Sequence, residues 1–116
     1  MGEIQRYGVT PRWAEKVVHN QTVYLVEVAA TPGAPFAQQV QEVFASVERQ
    51  LAEVGSGKDR LLQVTIYLTD MANLAAFNAA WEAWVPPGCA PSRACLRAEL
   101  VSADYLLELV ISAALC

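Results

Sequence analysis

Large apolar residues recur at steps of three and four along one part of this chain, with polar residues between them. The apolar members of this repeat are Phe36, Val40, Val43, Phe44, Val47, Leu51 and Val54. This spacing predicts an amphipathic helix that covers one side of a sheet. The sequence Gly55-Ser56-Gly57 predicts its end, because glycine readily adopts the backbone conformation that terminates helices. We interpret this helix as scaffold.

A strand and a second helix are predicted next. The strand is the apolar run at residues 62–68, and either Asp70 or Asn73 is placed to cap the helix that follows. The apolar side of this helix carries Leu74, Phe77, Trp81 and Trp84 or Val85. Aromatic residues at helical spacing are typical of a core, so we interpret them as packing residues rather than as a stacking platform for a ligand.

Alternating and β-branched residues dominate the N-terminal part of the chain. Residues 15–18 and 22–28 flank the polar sequence His19-Asn20-Gln21, which predicts a β-hairpin, and residues 4–7 predict a short edge strand. His19 is interpreted as a turn residue rather than a catalyst, because no acid or nucleophile is adjacent to it.

Two C-terminal segments, residues 91–96 and 105–111, are predicted strands that each carry one charge in an apolar setting. These charges are Arg93 and Glu108. An ionised side chain in such a setting is costly unless it is paired or serves a ligand. Two charges of opposite sign near the C-terminus are therefore the best functional clue in the sequence.

The order of elements predicts an α+β domain. Strand–helix–strand units of this length favour a parallel pair with right-handed crossovers, and both helices are expected on one face of a mixed sheet. The other face would stay uncovered, and subunits would meet there. From the residues alone, the last two strands form a hairpin around residues 101–104. That hairpin would place Glu108 near Arg97 as a plain cross-strand ion pair.

Composition narrows the class of protein. A chain of 116 residues, 54% apolar and 17% charged, indicates one globular domain over residues 1–116. This apolar content exceeds what one small sheet with two helices usually buries, so we expect a homo-oligomer.

Charge and cysteine content exclude several functions. The net charge is −4, and the two lysines and scattered arginines form no basic face for nucleic acid. No apolar run is long enough to span a membrane, and no secretory signal pattern opens the sequence. Three cysteines without CxxC spacing and a single histidine predict neither a zinc site nor a disulfide scaffold. A reducing cytoplasm is the expected compartment.

Four segments together resemble the Rid family (also called the YjgF family) of small trimeric imine and enamine deaminases. They are Val64-Thr65-Ile66-Tyr67-Leu68-Thr69-Asp70-Met71, Phe77-Asn78-Ala79-Ala80-Trp81, Ala90-Pro91-Ser92-Arg93-Ala94-Cys95 and Tyr105-Leu106-Leu107-Glu108. The similarity runs nearly end to end. Arg12-Trp13 and Val18-His19-Asn20 resemble a less-studied branch of the family.

The resemblance implies a chorismate-mutase-like fold and a homotrimer with clefts between subunits. It also implies a central last strand, away from the strand that carries Arg93. In the family, the arginine at the position of Arg93 binds the substrate carboxylate, and the glutamate at the position of Glu108 positions or activates water. The cysteine at the position of Cys95 lines the cleft in many members.

Two positions depart from the family pattern. Glu27 stands where the family usually has a glycine, and a carboxylate there would repel an anionic substrate or compete for Arg93. The tyrosine that many members carry near the N-terminus has no clean match, and Trp13 or Tyr7 would take its space. Activity is therefore a less secure implication of the resemblance than fold.

The leading hypothesis is a hydrolytic deaminase. A 2-imino or enamine acid binds through its carboxylate to the planar fork of Arg93, and water held by Glu108 adds to the C=N carbon, giving a 2-oxo acid and ammonia without a metal or organic cofactor. Cys95 is interpreted as a cleft-lining thiol rather than a nucleophile, since no histidine neighbours it in sequence.

Other hypotheses stay open. Arg93 could instead pair with an acid of a neighbouring subunit. A non-catalytic trimer that binds small carboxylate metabolites or a protein partner is the alternative function, and Glu27 favours it. Nucleic-acid cleavage has been attached to parts of the family, and the acidic charge argues against it here.

Overall fold

The computed structural model describes residues 2–116 as a mixed six-stranded sheet with two α-helices. The elements are β1 Gln5–Tyr7, β2 Lys16–His19, β3 Thr22–Glu27, α1 Phe36–Ala52, β4 Leu61–Leu68, α2 Leu74–Trp84, β5 Ser92–Arg97 and β6 Leu107–Ala114. The strand order is β1-β2-β3-β6-β4-β5, and β4 with β5 is the parallel pair. The predicted α+β class and the parallel strand–helix–strand unit are confirmed.

The N-terminal hairpin forms where the sequence predicts it. Strands β2 and β3 pair antiparallel, and Asn20 and Gln21 make the turn with positive φ angles of 51° and 63°. Two left-handed residues in a row suit the right-handed twist of the flanking strands, and asparagine tolerates that conformation better than most residues. His19 is the last residue of β2, paired with Thr22, rather than a residue of the turn.

The last strand lies in the middle of the sheet, as the family resemblance implies. β6 pairs antiparallel with β3 on one side and with β4 on the other. The expected hairpin between the last two strands is therefore wrong, because β4 separates β5 from β6. Burial explains this order: the inward residues of β6 are Leu107, Leu109, Ile111 and Ala113, all buried. Most of β5 is exposed, which suits an edge strand.

Both helices cover the same face of the sheet, as predicted. The buried side of α1 packs on the sheet, and Phe44 stacks on Trp84 of α2 with ring centroids 4.2 Å apart. Phe77 and Trp81 complete this aromatic cluster. Asp70 caps the short turn that leads into α2, accepting a hydrogen bond from the backbone N–H of Ala72 at 2.9 Å. In residues 2–116, neither helix combines the length and apolarity of a membrane span.

The other face of the sheet is uncovered and partly apolar. Tyr24, Val26 and Val110 lie side by side on β3 and β6, and they are 50%, 53% and 37% exposed. A shallow cavity of about 340 Å³ runs between these residues and Thr65 of β4. Part of the apolar surplus predicted from composition therefore lies on this face, which we call the open face.

Candidate functional site

Arg93 lies on the edge strand β5, on the helix side of the sheet. It is in register with Val64 of β4, whose side chain is fully buried beneath the helices. One terminal nitrogen of its guanidinium, Nη2, donates a hydrogen bond to Oδ1 of Asn78 on α2 at 2.6 Å. The guanidinium carbon lies 5.8 Å from the ring centroid of Phe77 and 5.4 Å from that of Trp81. Helix α2 therefore supplies every contact that orients this side chain.

The charge of Arg93 is not neutralised within the chain. Across residues 2–116 the ion pairs are Lys16 with Glu53 and Lys58 with Glu48, and Arg93 takes part in neither. Its contacts are an amide oxygen and two aromatic faces, which attract a cation without cancelling its charge. Because Arg93 is also exposed, the cation remains accessible to an external anion.

Glu108 lies on the opposite face, on the central strand β6. It is in register with Tyr67 of β4, and the next outward residue along the strand is Val110. The side chain is half-buried, and within residues 2–116 its carboxylate accepts no hydrogen bond. The carboxylate oxygens are thus free to hold a water molecule or a ligand.

Arg93 and Glu108 do not meet within one chain. They lie on opposite faces of the sheet, and β4 stands between their strands. Their partners on β4, Val64 and Tyr67, are three residues apart, so two strand spacings across the sheet and about 10 Å along it put the backbones roughly 14 Å apart. A single cleft that contains both residues must take them from two copies of the chain.

Glu27 and Trp13 lie near Glu108 at one end of the sheet, although Glu27 is in register with buried Leu109 and its side chain is on the helix side. Glu27, Trp13 and Glu108 line a cavity of about 580 Å³ there, together with Tyr105 and Arg49. Trp13 is 63% exposed and lines this cavity, whereas Tyr7 does not.

Glu27 is held by a neutral group. Its Oε2 accepts a hydrogen bond from the hydroxyl of Ser46 at 2.5 Å, and that hydroxyl oxygen also accepts one from Nη2 of Arg49 at 3.1 Å. Within one chain Glu27 does not meet Arg93, since β6 and β4 separate their strands, and competition in a cleft between copies stays a prediction. The carboxylate of Glu27 nevertheless lines the cavity that contains Glu108.

Cys95 follows Arg93 on the helix side of β5 and is half-buried against the core. Burial raises the pKa of its thiol, and the positive charge of Arg93 acts weakly in the opposite direction. A raised pKa keeps the sulfur protonated near neutral pH, which suits a lining group better than a nucleophile.

Asn78 is the residue of this site that the sequence reasoning missed. It stands between Phe77 and Trp81 in a segment that was read as core, although it is the one strongly polar residue there. Its position three residues before Trp81 was the available signal, because residues three apart lie on the same side of a helix. In the part of the chain described, no group of three His, Cys, Asp or Glu residues is placed to hold a metal ion.

Comparisons with known proteins agree with this architecture. A family model described as Endoribonuclease L-PSP matches residues 4–115. The RutC family protein YoaB of Escherichia coli K12 is 37% identical over 111 residues, covering 96% of this chain and 97% of that protein. A RutC family protein of Haemophilus ducreyi is 36% identical over 113 residues, covering 97% of each chain.

Solved structures show the same fold. A YjgF family member from Neisseria meningitidis superposes with a TM-score of 0.93 at 37% identity, covering 98% of this chain and 96% of the other. Yeast Mmf1, at 24% identity, superposes with a TM-score of 0.84 and shows the fold alone. On the family model, these relatives and the shared fold, the chain belongs to the YjgF (Rid) family.

Proposed function

We propose that this protein hydrolyses reactive 2-imino and enamine acids to 2-oxo acids and ammonia, in clefts formed between copies of the chain. The observation that carries the proposal is the state of Arg93. An exposed arginine, oriented by three groups of α2 and without an ion-pair partner in residues 2–116, is suited to clamp a substrate carboxylate.

The open face of the sheet supports an oligomer, and a trimer is the state that the family resemblance implies. Tyr24, Val26 and Val110 form an apolar strip that a second copy would cover. A head-to-tail ring also removes the separation of Arg93 from Glu108, because each cleft can take Arg93 from one copy and Glu108 from the next. In such a ring every copy contributes to two clefts.

The chemistry requires few groups. Arg93 binds the carboxylate and fixes the C=N carbon, while the carboxylate of Glu108 holds a water molecule and accepts its proton as the oxygen attacks that carbon. Glu108 passes this proton to the nitrogen as the carbinolamine forms. It then takes the hydroxyl proton as that oxygen forms the carbonyl; this second proton moves to the amine nitrogen, the C–N bond breaks, and ammonia leaves. An enamine acid enters the same route after tautomerising to the imine, in which a proton moves from nitrogen to carbon. Imines hydrolyse unaided, so positioning and one charge clamp are sufficient for a useful acceleration.

A second candidate is a non-catalytic binder of small carboxylates or of a protein partner. Glu27 favours it, because this carboxylate lines the same cavity as Glu108 and would repel an anionic substrate there. RNA cleavage is disfavoured despite the description of the family model, since the net charge is −4. Tight, salt-dependent RNA retention in a filter-binding assay would reverse that judgement.

The test couples a threonine dehydratase, which releases an enamine acid, to the purified protein and follows the appearance of 2-oxobutanoate. We expect acceleration by the native protein, loss of it in Arg93→Ala, and little change in Arg97→Ala. Arg97 is the matched control, since it is another exposed arginine on the same side of β5.

The remaining outcomes separate the two candidates. Silence from the native protein with activity in Glu27→Gly would mean that the carboxylate blocks an otherwise competent site. Silence from all variants, with 2-oxobutanoate still bound, would favour the binder.

A further inference from the structure

We propose that Asn78 is a positioning residue for Arg93: its neutral amide fixes the rotation of the guanidinium and leaves the positive charge for the substrate. This inference rests on the proposed function, because it assigns the group that prepares the carboxylate clamp. Asn78 touches Arg93 and not the reacting atoms, so its role is to orient.

Helix α2 supplies the hydrogen bond and both aromatic contacts of the guanidinium. Phe77 and Trp81 are one helical turn apart, so their rings lie on the same side of the helix, and the guanidinium carbon of Arg93 lies over both. These rings limit how far the guanidinium can tilt, but an aromatic face has no preferred angle about its normal. The hydrogen bond from Nη2 to Asn78 at 2.6 Å supplies that missing restraint.

The remaining N–H groups of Arg93 still match a carboxylate. A guanidinium offers two pairs of parallel donors, one from Nε with Nη2 and one from Nη1 with Nη2. Asn78 occupies a single hydrogen of Nη2, so whichever pair it uses, the other pair stays intact. Within residues 2–116 Arg93 makes no further hydrogen bond.

An amide fits this task where a carboxylate would not. Aspartate has the same shape and would also accept the hydrogen bond, but it would form an ion pair with Arg93 and lower its attraction for an incoming anion. The chain uses that arrangement elsewhere: Glu53 accepts a hydrogen bond from the buried Lys16 at 2.6 Å. Arg93 instead has the neutral Asn78 as its hydrogen-bond partner, and a neutral partner is what we expect for a cation that binds a ligand.

The experiment compares Asn78→Asp and Asn78→Ala with the control Ala76→Asp. Ala76 is exposed on the same helix and lies about 160° around the helix axis from residue 78. Ala76→Asp therefore adds the same charge on the opposite side of α2. Binding of 2-oxobutanoate is measured by calorimetry, and KM and kcat are measured with the dehydratase-coupled assay. Nitrogen-15 NMR of the arginine side chains reports whether the guanidinium of Arg93 rotates.

We expect Asn78→Asp to weaken 2-oxobutanoate binding by roughly tenfold or more, since one close opposite charge now competes with the ligand. Asn78→Ala should weaken binding by about threefold and should average the Nη signals of Arg93, which are separate in the native protein. KM should rise in both variants while kcat changes little. Ala76→Asp should resemble the native protein.

Two results would overturn the inference while leaving the proposed function intact. One is native binding in Asn78→Asp; the other is an Arg93 signal that is equally mobile in the native protein and Asn78→Ala. If the native protein neither binds 2-oxobutanoate nor accelerates its formation in the coupled assay, the proposed function fails. The NMR comparison still decides whether Asn78 orients Arg93.

Discussion

Two cations lie on the helix side of this sheet, near its opposite edges, and their environments differ. Lys16 on β2 is only 2% exposed, and its Nζ donates to Gln50 at 2.7 Å and to Glu53 at 2.6 Å while lying 4.9 Å from the ring centroid of Tyr7. Arg93 on β5 is exposed and also lies against aromatic rings, but its one hydrogen-bond partner is an amide.

The contrast separates a structural charge from an available one. Both cations are held in place by an aromatic ring and by side chains of a helix, so fixation alone does not distinguish them. The difference is the carboxylate: Lys16 has one and Arg93 does not. A cation neutralised inside the chain stabilises the fold, whereas a cation fixed by neutral groups can still attract a ligand. The following experiments test this division.

The largest effect is expected for removal of the available cation. Arg93→Ala should lower kcat/KM in the dehydratase-coupled assay on the order of 100-fold, because two charge-assisted hydrogen bonds to the substrate are lost. Its melting temperature should remain close to that of the native protein, as the side chain is exposed. A large loss of stability with unchanged KM would place Arg93 in the structural class instead.

Removal of the structural cation should give the reverse result. Lys16→Met deletes a buried charge with two hydrogen bonds and should lower the melting temperature by roughly 5–10 °C. The KM of the folded variant should stay unchanged. Calorimetric melting and the coupled assay check the two halves of this expectation, and a raised KM at native stability would break the contrast.

Acid should weaken the same contact. The hydrogen bond from Lys16, and then its charge, lower the pKa of Glu53 below the ordinary value of 4.5. A lowered folded-state pKa means that the stabilisation is present above about pH 4.5 and is lost as the pH falls through the folded value. Urea unfolding between pH 6 and pH 3 should therefore lose less stability in Lys16→Met than in the native protein. Parallel curves would show that this pair does not contribute.

The smallest effect concerns Glu27, an anion that is also held by a neutral partner. By the same reasoning its charge is available, and it should repel an anionic ligand at the cavity that it shares with Glu108. Glu27→Gln keeps an oxygen to accept from Ser46 and should tighten binding of 2-oxobutanoate about threefold. Weaker binding in this variant would indicate that the carboxylate contacts the ligand favourably.

Local periodicity was sufficient to predict most of the elements. The apolar repeat of α1 and the turn at Asn20 and Gln21 are formed by residues close together in the sequence. The sequence pattern was therefore enough to predict these two elements. The predicted start of β6, Tyr105, is two residues too early, because the apolar run begins in the loop that precedes Leu107.

Long-range pairing was not available from the residues alone. Adjacent strands suggested a hairpin between β5 and β6, but burial of Leu107, Leu109 and Ile111 favours a central place for β6. The family resemblance supplied that order. The contact between Asn78 and Arg93 joins residues 15 positions apart on a helix and an edge strand, so the helical spacing that marks Asn78 does not identify Arg93 as its partner.

The most direct measurement mixes two variants that should each be inactive, Arg93→Ala and Glu108→Ala. Co-expressed or refolded together, they should assemble into rings in which some clefts receive Arg93 from one copy and Glu108 from the other. With equal amounts and random assembly, about a quarter of the native activity should return. A mixture as inactive as its parents, despite mixed assembly on native mass spectrometry, would contradict a site built from two copies around Arg93.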